Sequence, residues 1–173
     1  MNRIDHKHCI FATVIIMFAC FSMTSCDNVR AKRANKQSSR EVVHAFPNTN
    51  WAFEEEVLEF PFDIADTTWH YDISLSLLFD SSLVTLTDIP LSLILYTPDG
   101  MQAMSKSHFM LDSRTNPDVK LAADGKNMEV DVTVFPRRKL KVPGMYKLVV
   151  YRRAEKADNL GFISLTAKVN VVK

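Results

Sequence analysis

One cysteine has the setting in this sequence that points most directly to a chemical role. Cys26 follows Met23, Thr24 and Ser25, and residues 10–21 further upstream are almost wholly apolar. Small residues directly before a cysteine let the chain enter a narrow peptidase cleft, and the freed thiol can form a thioether to diacylglycerol. We therefore predict that residues 1–25 are a removed signal peptide. Cys26 then becomes the first residue of the mature chain and carries lipid, including palmitate.

The Met-Thr-Ser-Cys sequence resembles the lipobox of bacterial lipoproteins, and two alternatives stay open. A plain secretory signal with an incidental cysteine would leave the chain unlipidated. Cys20 is a second candidate site, although the bulky Phe18 stands two places before it. The chain holds three cysteines, Cys9, Cys20 and Cys26, so cleavage before Cys26 would exclude a disulfide or a cysteine–metal site in the mature chain. The apolar run is shorter than the roughly 20 residues that a membrane-spanning helix needs.

The composition and the remaining reactive side chains give no sign of catalysis. The 21 basic and 20 acidic residues almost cancel, and the four glycines form no phosphate-binding cluster. His44, His70 and His108 do not fall at metal-ligand spacing, and no serine lies in a Gly-x-Ser-x-Gly motif. Asp63 and Asp66 can in principle do acid–base chemistry, yet nothing distinguishes them from surface acids. We therefore predict a protein that is not an enzyme, has no catalytic residue, cofactor or metal, and binds no nucleic acid; no small-molecule substrate is indicated.

Four aromatic residues are candidates for binding a ligand: Trp51, Trp69, Tyr96 and Tyr151. Such rings can stack on sugars when a sheet exposes them, which gives an alternative function as a glycan-binding β-sandwich lipoprotein. Core packing and strand propensity explain the same residues more simply. The acidic run 54–56 could bind calcium, but such a site needs about six to eight converging oxygens, and a solvated loop is favoured.

Two further short segments have a candidate role. The run Arg137–Lys141 is the densest basic patch of the domain. It can meet an acidic partner, a headgroup or a phosphate, or it can simply keep a loop soluble. Asp66-Thr67-Thr68 matches a short Asp-Thr-x pattern that receives O-linked sugar on exported proteins of the Bacteroidetes. Thr67 is therefore a candidate for O-glycosylation.

The pattern of the remaining chain predicts strands. Apolar and polar residues alternate with a period of two, which is typical of strands with one buried face, in residues 58–64, 71–79, 91–95, 128–134, 146–150 and 163–171. Pro98-Asp99-Gly100 and Asp124-Gly125 are typical of tight turns. We predict an all-β chain with a single antiparallel β-sandwich of about seven strands at residues 46–173. Residues 26–45 are predicted to be the lipidated cysteine and a polar, basic, flexible tether.

The order of these motifs resembles the gliding motility lipoprotein GldH family of Bacteroidetes. In that family a lipidated cysteine precedes a Trp, a Phe-x-Phe-x-Ile-x-Asp-Thr strand, a Pro-Asp-Gly turn and a late Pro-Gly-x-Tyr strand. The matching features here are Cys26, Trp51, residues 60–68 (FPFDIADTT), the Pro98–Gly100 turn and residues 143–148 (PGMYKL). Residues 101–127 lack the Gly-rich, Trp-containing stretch expected of the family.

The resemblance implies a non-catalytic, membrane-anchored lipoprotein of the cell envelope that is an accessory component of gliding motility or of the associated protein-secretion machinery. Its expected partners are the membrane, through the lipid on Cys26, and other envelope proteins of that machinery. Arg30, Lys32, Arg33 and Lys36 follow Cys26, whereas surface-exported lipoproteins of the phylum typically have acidic residues there. This difference favours an anchor in the cell membrane or outer membrane that faces the periplasm.

Overall fold

The computed structural model describes residues 39–52, 57–153 and 159–172. The chain divides into two units, Met1–Ser38 and Ser39–Lys173, and the described residues belong to the second unit. The predicted signal peptide, Cys26, residues 27–38 of the predicted tether and the acidic run 54–56 lie outside the described residues.

The described residues form β-strands and one short 3₁₀ turn, Pro47–Thr49, with no α-helix in those ranges. The strands are β1 (Ser39–Ala45), β2 (Asn50–Trp51), β3 (Val57–Ile64), β4 (His70–Phe79), β5 (Asp88–Tyr96), β6 (Gln102–Met110), β7 (Val119–Leu121), β8 (Met128–Lys139), β9 (Gly144–Arg152), β10 (Asn159–Leu160) and β11 (Phe162–Val172).

The long strands form two antiparallel sheets that pack as a sandwich, which confirms the predicted fold class. The five-stranded sheet has the order β1-β11-β4-β8-β7, the four-stranded sheet has the order β3-β9-β5-β6, and β2 pairs with β10 in a separate ribbon. Apart from the β5–β6 and β7–β8 hairpins, successive strands of these two sheets alternate between them. This order of strands is the jelly-roll arrangement of two Greek keys.

The two sheets enclose one hydrophobic core because most of the long strands place apolar side chains on their inner faces. In β3, Leu58, Phe60, Phe62 and Ile64 are buried while the residues between them are exposed. Fully burying one such side chain contributes about 1.5–3 kcal/mol. At one side of the sandwich the Ser105 hydroxyl of β6 donates a 3.1 Å hydrogen bond to the carbonyl oxygen of residue 134 in β8, which joins the two sheets.

The two turns predicted from glycine-containing motifs are present. Thr97 and Met101 close the β5–β6 turn through a 2.9 Å backbone hydrogen bond, and Gly100 within it has φ +82°. Gly125, between β7 and β8, has φ +67°. Glycine suits both positions because a Cβ atom would clash with the backbone in this left-handed region.

Five of the strands in the described ranges have no counterpart among the predicted runs, namely β1, β6 and the short β2, β7 and β10, so the two sheets contain nine strands where about seven were predicted. Residues 39–45 were assigned to the tether, but these seven residues form β1 and pair with β11 from Ser39↔Asn170 to Ala45↔Ser164. The folded unit therefore begins earlier than predicted. β6 has no apolar alternation, because Phe109 is its one buried residue and the inner positions before it are the small Ala103, Ser105 and Ser107.

Candidate functional site: the outer face of the four-stranded sheet

The outer face of the five-stranded sheet is polar and internally hydrogen-bonded. Lys168 on β11 reaches across β4, so that its Nζ lies 3.3 Å from Glu129 Oε1 and 2.9 Å from Asp131 Oδ1. The Ser76 hydroxyl donates a short hydrogen bond to the same Glu129 carboxylate. Burial lowers the pKa of Lys168, but the two carboxylates outweigh burial and raise it above 10.5. These polar groups satisfy one another, so this face offers few free groups to a ligand.

The outer face of the four-stranded sheet is largely apolar. The strand register places three rows of side chains on this face, each running across β3, β9, β5 and β6. We call this surface the Tyr96–Tyr151 face. Its rows are Val57-Tyr151-Ser92-Lys106, Glu59-Val149-Ile94-Met104 and Pro61-Lys147-Tyr96-Gln102.

Several large apolar side chains of this face are exposed to solvent. Met104 is 77% exposed, Val57 is 48% exposed, and Met145, one row further along β9, is 60% exposed. Val149 in the middle row is only 2% exposed, although it points away from the core. The surrounding side chains therefore shield Val149 and make one continuous surface. Contiguous exposed apolar surface of this kind is typical of a binding site.

Lys147 gives the apolar face a fixed positive charge. Its Nζ lies 2.9 Å from Glu59 Oε1 and 5.5 Å from the centre of the Tyr96 ring. The hydrogen bond to Glu59 raises the pKa of Lys147 above 10.5, so the ammonium group stays protonated at physiological pH. Its cation–π contact favours one orientation of the Tyr96 ring.

Tyr96 and Tyr151 stand on neighbouring strands and are separated along the sheet. Tyr151 on β9 pairs with Ser92, four residues before Tyr96 on β5. At about 3.3 Å per residue and about 4.8 Å between strands, the two Cα atoms are roughly 14 Å apart. Both tyrosines are half-buried, and Ile94 and Val149 occupy the row between them. The face thus presents two aromatic side chains on either side of an aliphatic centre.

The two tryptophans do not belong to this face. Trp51 is fully buried, 4.8 Å from the Phe46 ring in a stacked arrangement and 5.3 Å from the Arg152 guanidinium carbon. The prediction that Trp51 is a candidate exposed stacking residue is therefore wrong, because the β2–β10 ribbon carries it into the core. Trp69 is 44% exposed in the loop between β3 and β4. Two of the four aromatic candidates, Tyr96 and Tyr151, share one surface.

The acidic candidate residues have local partners. Asp63 Oδ2 lies 3.5 Å from Arg40 Nη1. Asp66 Oδ1 accepts hydrogen bonds from the hydroxyl and the N–H of Thr68, which lower the pKa of Asp66. Thr67 lies half-buried in the same β3–β4 loop. These contacts identify a stabilised turn, and the two carboxylates are held in separate interactions.

The three candidate histidines lie apart from one another. His108 is on the outer face of β6, one row beyond Lys106, with its Nδ1 3.2 Å from Asp88 Oδ1, while His44 and His70 are in the five-stranded sheet. Within the described ranges, no three His, Cys, Asp or Glu side chains come together where they could hold a metal ion. The run Arg137–Lys141 lies at one end of the sandwich, where it lines a groove. In the part of the chain that the structure describes, no helix is long and apolar enough to cross a membrane.

Sequence reasoning did not identify Met104, Val149 or Lys147 as part of a site. A signal for this face was nevertheless present in Leu93-Ile94-Leu95 and Leu148-Val149-Val150, where the outer residue is apolar as well as its neighbours. Continuous apolar runs are typical of strands that are covered on both faces. Because nothing in the described domain covers this side of the four-stranded sheet, the runs indicate a surface that a ligand can cover.

No family model matches the chain, and no curated protein matches it. A structure of infectious bursal disease virus strain Gx is 14% identical with a TM-score of 0.40, covering 78% of this chain and 32% of that chain. The latent PorU dimer of Porphyromonas gingivalis is 10% identical with a TM-score of 0.35, and the match covers 78% of this chain and 13% of that chain. A structure of carbohydrate-binding modules of a β-sandwich superfamily is 10% identical with a TM-score of 0.36, and the match covers 79% of this chain and 54% of that chain. The chain thus spans a third or less of the length of the first two.

Proposed function

We propose that this protein is a membrane-anchored, non-catalytic lipoprotein of the cell envelope, and an accessory component of gliding motility or of the associated protein-secretion machinery. The lipid on Cys26 holds it in the cell membrane or outer membrane, facing the periplasm. The jelly-roll domain binds another envelope protein through the Tyr96–Tyr151 face. The support comes from the sequence around Cys26, from the resemblance to the GldH family and from the chemistry of this face.

The contrast between the two outer faces carries the proposal. On the outer face of the five-stranded sheet, Lys168 and its acidic partners satisfy one another's charges. On the outer face of the four-stranded sheet, Met104 and Met145 are exposed to solvent. Methionine and tyrosine are enriched at protein interfaces, where the flexible thioether adapts to irregular surfaces. Lys106 adds a positive charge at the border of the face. A partner with an apolar patch and an acidic rim fits this combination.

Site-specific photocrosslinking in intact cells tests the binding face. A photoreactive amino acid replaces Met104, Met145 or, as the control, Thr133 on the outer face of the five-stranded sheet. We expect the same envelope protein to be crosslinked from both methionine positions and not from Thr133. We also expect Ile94→Asp to abolish the crosslink, because it places a charge at the centre of the apolar surface. Equal crosslinking from Thr133, or none from either methionine position, would contradict the proposal.

Metabolic labelling with palmitate tests the anchor separately. We expect label on the wild type and on a Cys20→Ala control, and no label on Cys26→Ala. The control separates the two candidate lipidation sites, Cys20 and Cys26. An unlabelled wild type, or label that survives Cys26→Ala, would show that the processing site is wrong.

A second function, glycan binding, is favoured by one observation: Tyr96 and Tyr151 lie on one open face at a separation of roughly 14 Å. Two aromatic side chains at this distance can contact two sugar rings of one extended oligosaccharide. The polar groups between and beside them, Glu59, Ser92 and Gln102, can bond to hydroxyl groups. The apolar centre of the face would pack against the hydrophobic faces of the sugars.

Calorimetric titration with envelope-derived oligosaccharides distinguishes the two functions. If the face binds glycan, Tyr96→Ala and Tyr151→Ala should each weaken binding by about 3- to 10-fold, the value of one aromatic contact. Trp69→Ala is the matched control, because Trp69 is an exposed aromatic residue outside the face. Equal weakening by Trp69→Ala, or no heat of binding with any oligosaccharide, would exclude the glycan function of this face.

A further inference from the structure

The end of the sandwich that carries the basic run also contains a groove. The groove has a volume of about 410 Å³ and lies between the β5–β6 turn and the segment that leads from β8 into β9. Its lining includes the buried Leu95, Leu140 and Tyr146. We call it the basic groove, because its lining also includes four exposed cations, Arg137, Arg138, Lys139 and Lys141.

A β-bulge in β8 explains how this part of a strand comes to border the groove. Tyr71 pairs with Arg138 and Ile73 pairs with Phe135, so two residues of β8 oppose Asp72 alone. Arg137, one of the two, has φ +44° and donates its N–H to Asp72 Oδ1 at 2.7 Å. The bulge shifts the alternation of side chains. Arg138 therefore shares a face with its partner Tyr71, which is buried between the sheets, and is directed towards the groove.

The basic groove has an excess of positive charge. Within the described ranges, the two arginines and Lys141 form no ion pair. Lys139 Nζ donates a 2.5 Å hydrogen bond to the carbonyl oxygen of Thr68, and its charge contributes to lowering the pKa of Asp66 in the neighbouring β3–β4 loop. Asp99 is the carboxylate among the lining residues, and a hydrogen bond from the Thr97 hydroxyl lowers its pKa. The lining of the groove thus combines four cations, one carboxylate and an apolar floor, with Asp66 and Asp72 beside it. This combination suits a ligand that has both a negative group and apolar atoms.

β1, the first described strand, begins at this same end of the sandwich. Ser39 pairs with Asn170, and Asn170 pairs with Asp72, which opposes the bulge. At about 4.8 Å per strand, the first residue of β1 is roughly 10 Å from Asp72. Residues 27–38, which would join Ser39 to a lipidated Cys26, span at most about 43 Å when fully extended. An anchor on Cys26 would therefore limit the distance between the membrane surface and the start of β1, beside the basic groove, to about 43 Å.

We propose that the basic groove docks on anionic phospholipid headgroups of the bilayer in which Cys26 is anchored. This inference rests on the proposed membrane anchoring. The cations contact the phosphates, while the apolar floor accommodates the glycerol and the first methylene groups of a lipid. Docking gives the domain one orientation on the membrane in addition to its tether.

Vesicle co-sedimentation tests the docking without the lipid anchor. The mature chain with Cys26→Ala is mixed with phosphatidylcholine vesicles with or without phosphatidylglycerol. The groove variant is Arg138→Gln/Lys141→Gln. The control, Lys120→Gln/Lys126→Gln, removes two exposed lysines beside the β7–β8 turn, at the other end of the sandwich. One cation near an anionic surface increases the vesicle partition coefficient about fivefold. The partition coefficient of the groove variant should therefore fall roughly 25-fold, and that of the control should change little.

Each outcome decides the proposal. Equal losses in the two variants, or binding that does not depend on phosphatidylglycerol, would overturn it. Saturable binding of inorganic phosphate that displaces the vesicles would assign the groove to a soluble phosphate and would also overturn it. Should the double variant fail to fold, Lys141→Gln alone, outside the strands, should still give about a fivefold loss. Palmitate labelling tests lipidation of Cys26 independently of vesicle binding, so a failure of docking and a failure of anchoring are distinguishable.

Discussion

Gly161 holds three segments of the sandwich together, and its replacement by alanine should be strongly destabilising. Its N–H donates to the carbonyl of Thr49 at 2.8 Å, and its carbonyl accepts the N–H of Asp80 at 2.7 Å. A Cβ atom built on Gly161 would lie 2.8 Å from Val84 Cγ2, 2.9 Å from Leu83 Cβ and 3.0 Å from Asp80 O. The backbone there has φ +94°, which side chains rarely adopt. Two separate penalties therefore act on the same substitution.

The size of the effect follows from these two penalties. A Cβ atom in the left-handed region costs about 1–2 kcal/mol, and forcing an additional methyl group into a packed site costs about 1–3 kcal/mol. Gly161→Ala should therefore lower the free energy of unfolding by about 2–5 kcal/mol. Gly125→Ala is the matched control, because Gly125 has φ +67° but a Cβ atom added there would meet nothing within 4 Å. Gly125→Ala should lower the free energy of unfolding only by the backbone penalty, about 1–2 kcal/mol.

Urea unfolding of the mature chain, monitored by tryptophan fluorescence, measures both variants. Trp51 is a suitable reporter because it is fully buried and lies in the ribbon next to Gly161. The free energies of unfolding are compared from the transition midpoints at a common slope. Equal destabilisation by Gly161→Ala and Gly125→Ala would show that the close contacts with the β4–β5 loop do not constrain the domain, and would refute the reasoning.

Three further predictions concern a turn, the core and a modification. The N–H of Asn127 donates to Asp124 and lowers the pKa of that carboxyl below 3.8; stability from this group is present above the unfolded pKa and is lost as pH falls through the folded pKa. Between about pH 5 and pH 2, Tm should therefore fall less steeply in Asp124→Asn than in the wild type, and parallel curves would contradict this. The buried hydroxyl of Tyr146 donates to the carbonyl of Val142 at 2.7 Å, so Tyr146→Phe should cost about 1–2 kcal/mol in urea unfolding, and an unchanged midpoint would contradict this. O-glycosylation at Thr67 predicts a mass above that of the unmodified chain that returns to the calculated value in Thr67→Ala, whereas an unshifted wild-type mass would end the idea.

The strands that could be predicted from the sequence are those whose inner positions carry large apolar side chains of the core. β3 shows the strict alternation of a strand with one buried face, and the other five predicted runs follow it closely. β6 could not be predicted in the same way, because its inner positions are Ala103, Ser105 and Ser107, which are small and only half-buried. Small side chains at these positions give no apolar face, so the period-two signal is lost, whereas β3 keeps the signal at the opposite edge of the same sheet. In β1, Arg40 and His44 share the inner positions with Val42. No apolar face therefore marks this strand in the sequence, which explains its assignment to the tether.

The candidate face could be predicted in part from the same alternation. Leu93 and Leu95 point inwards, so Ile94 and Tyr96 must point outwards, and the structure places both on the Tyr96–Tyr151 face. Trp51 had no such guide, because β2 is too short to show a period, and a large aromatic residue packs equally well in a core. The direction of Arg138 could not be predicted, since the bulge beside it changes the alternation and depends on the pairing between β4 and β8.

The two proposed surfaces are compatible because they lie in different directions on the sandwich. Sheet faces run parallel to their strands, whereas the basic groove opens at the strand ends. Docking through the strand ends would hold the strands upright on the bilayer and leave the Tyr96–Tyr151 face open to the side. Crosslinking from Met104 should therefore persist when the chain is bound to anionic vesicles together with its partner. If vesicle binding instead blocked that crosslink, the face and the groove would compete for one surface, and the assignment of separate roles would be wrong.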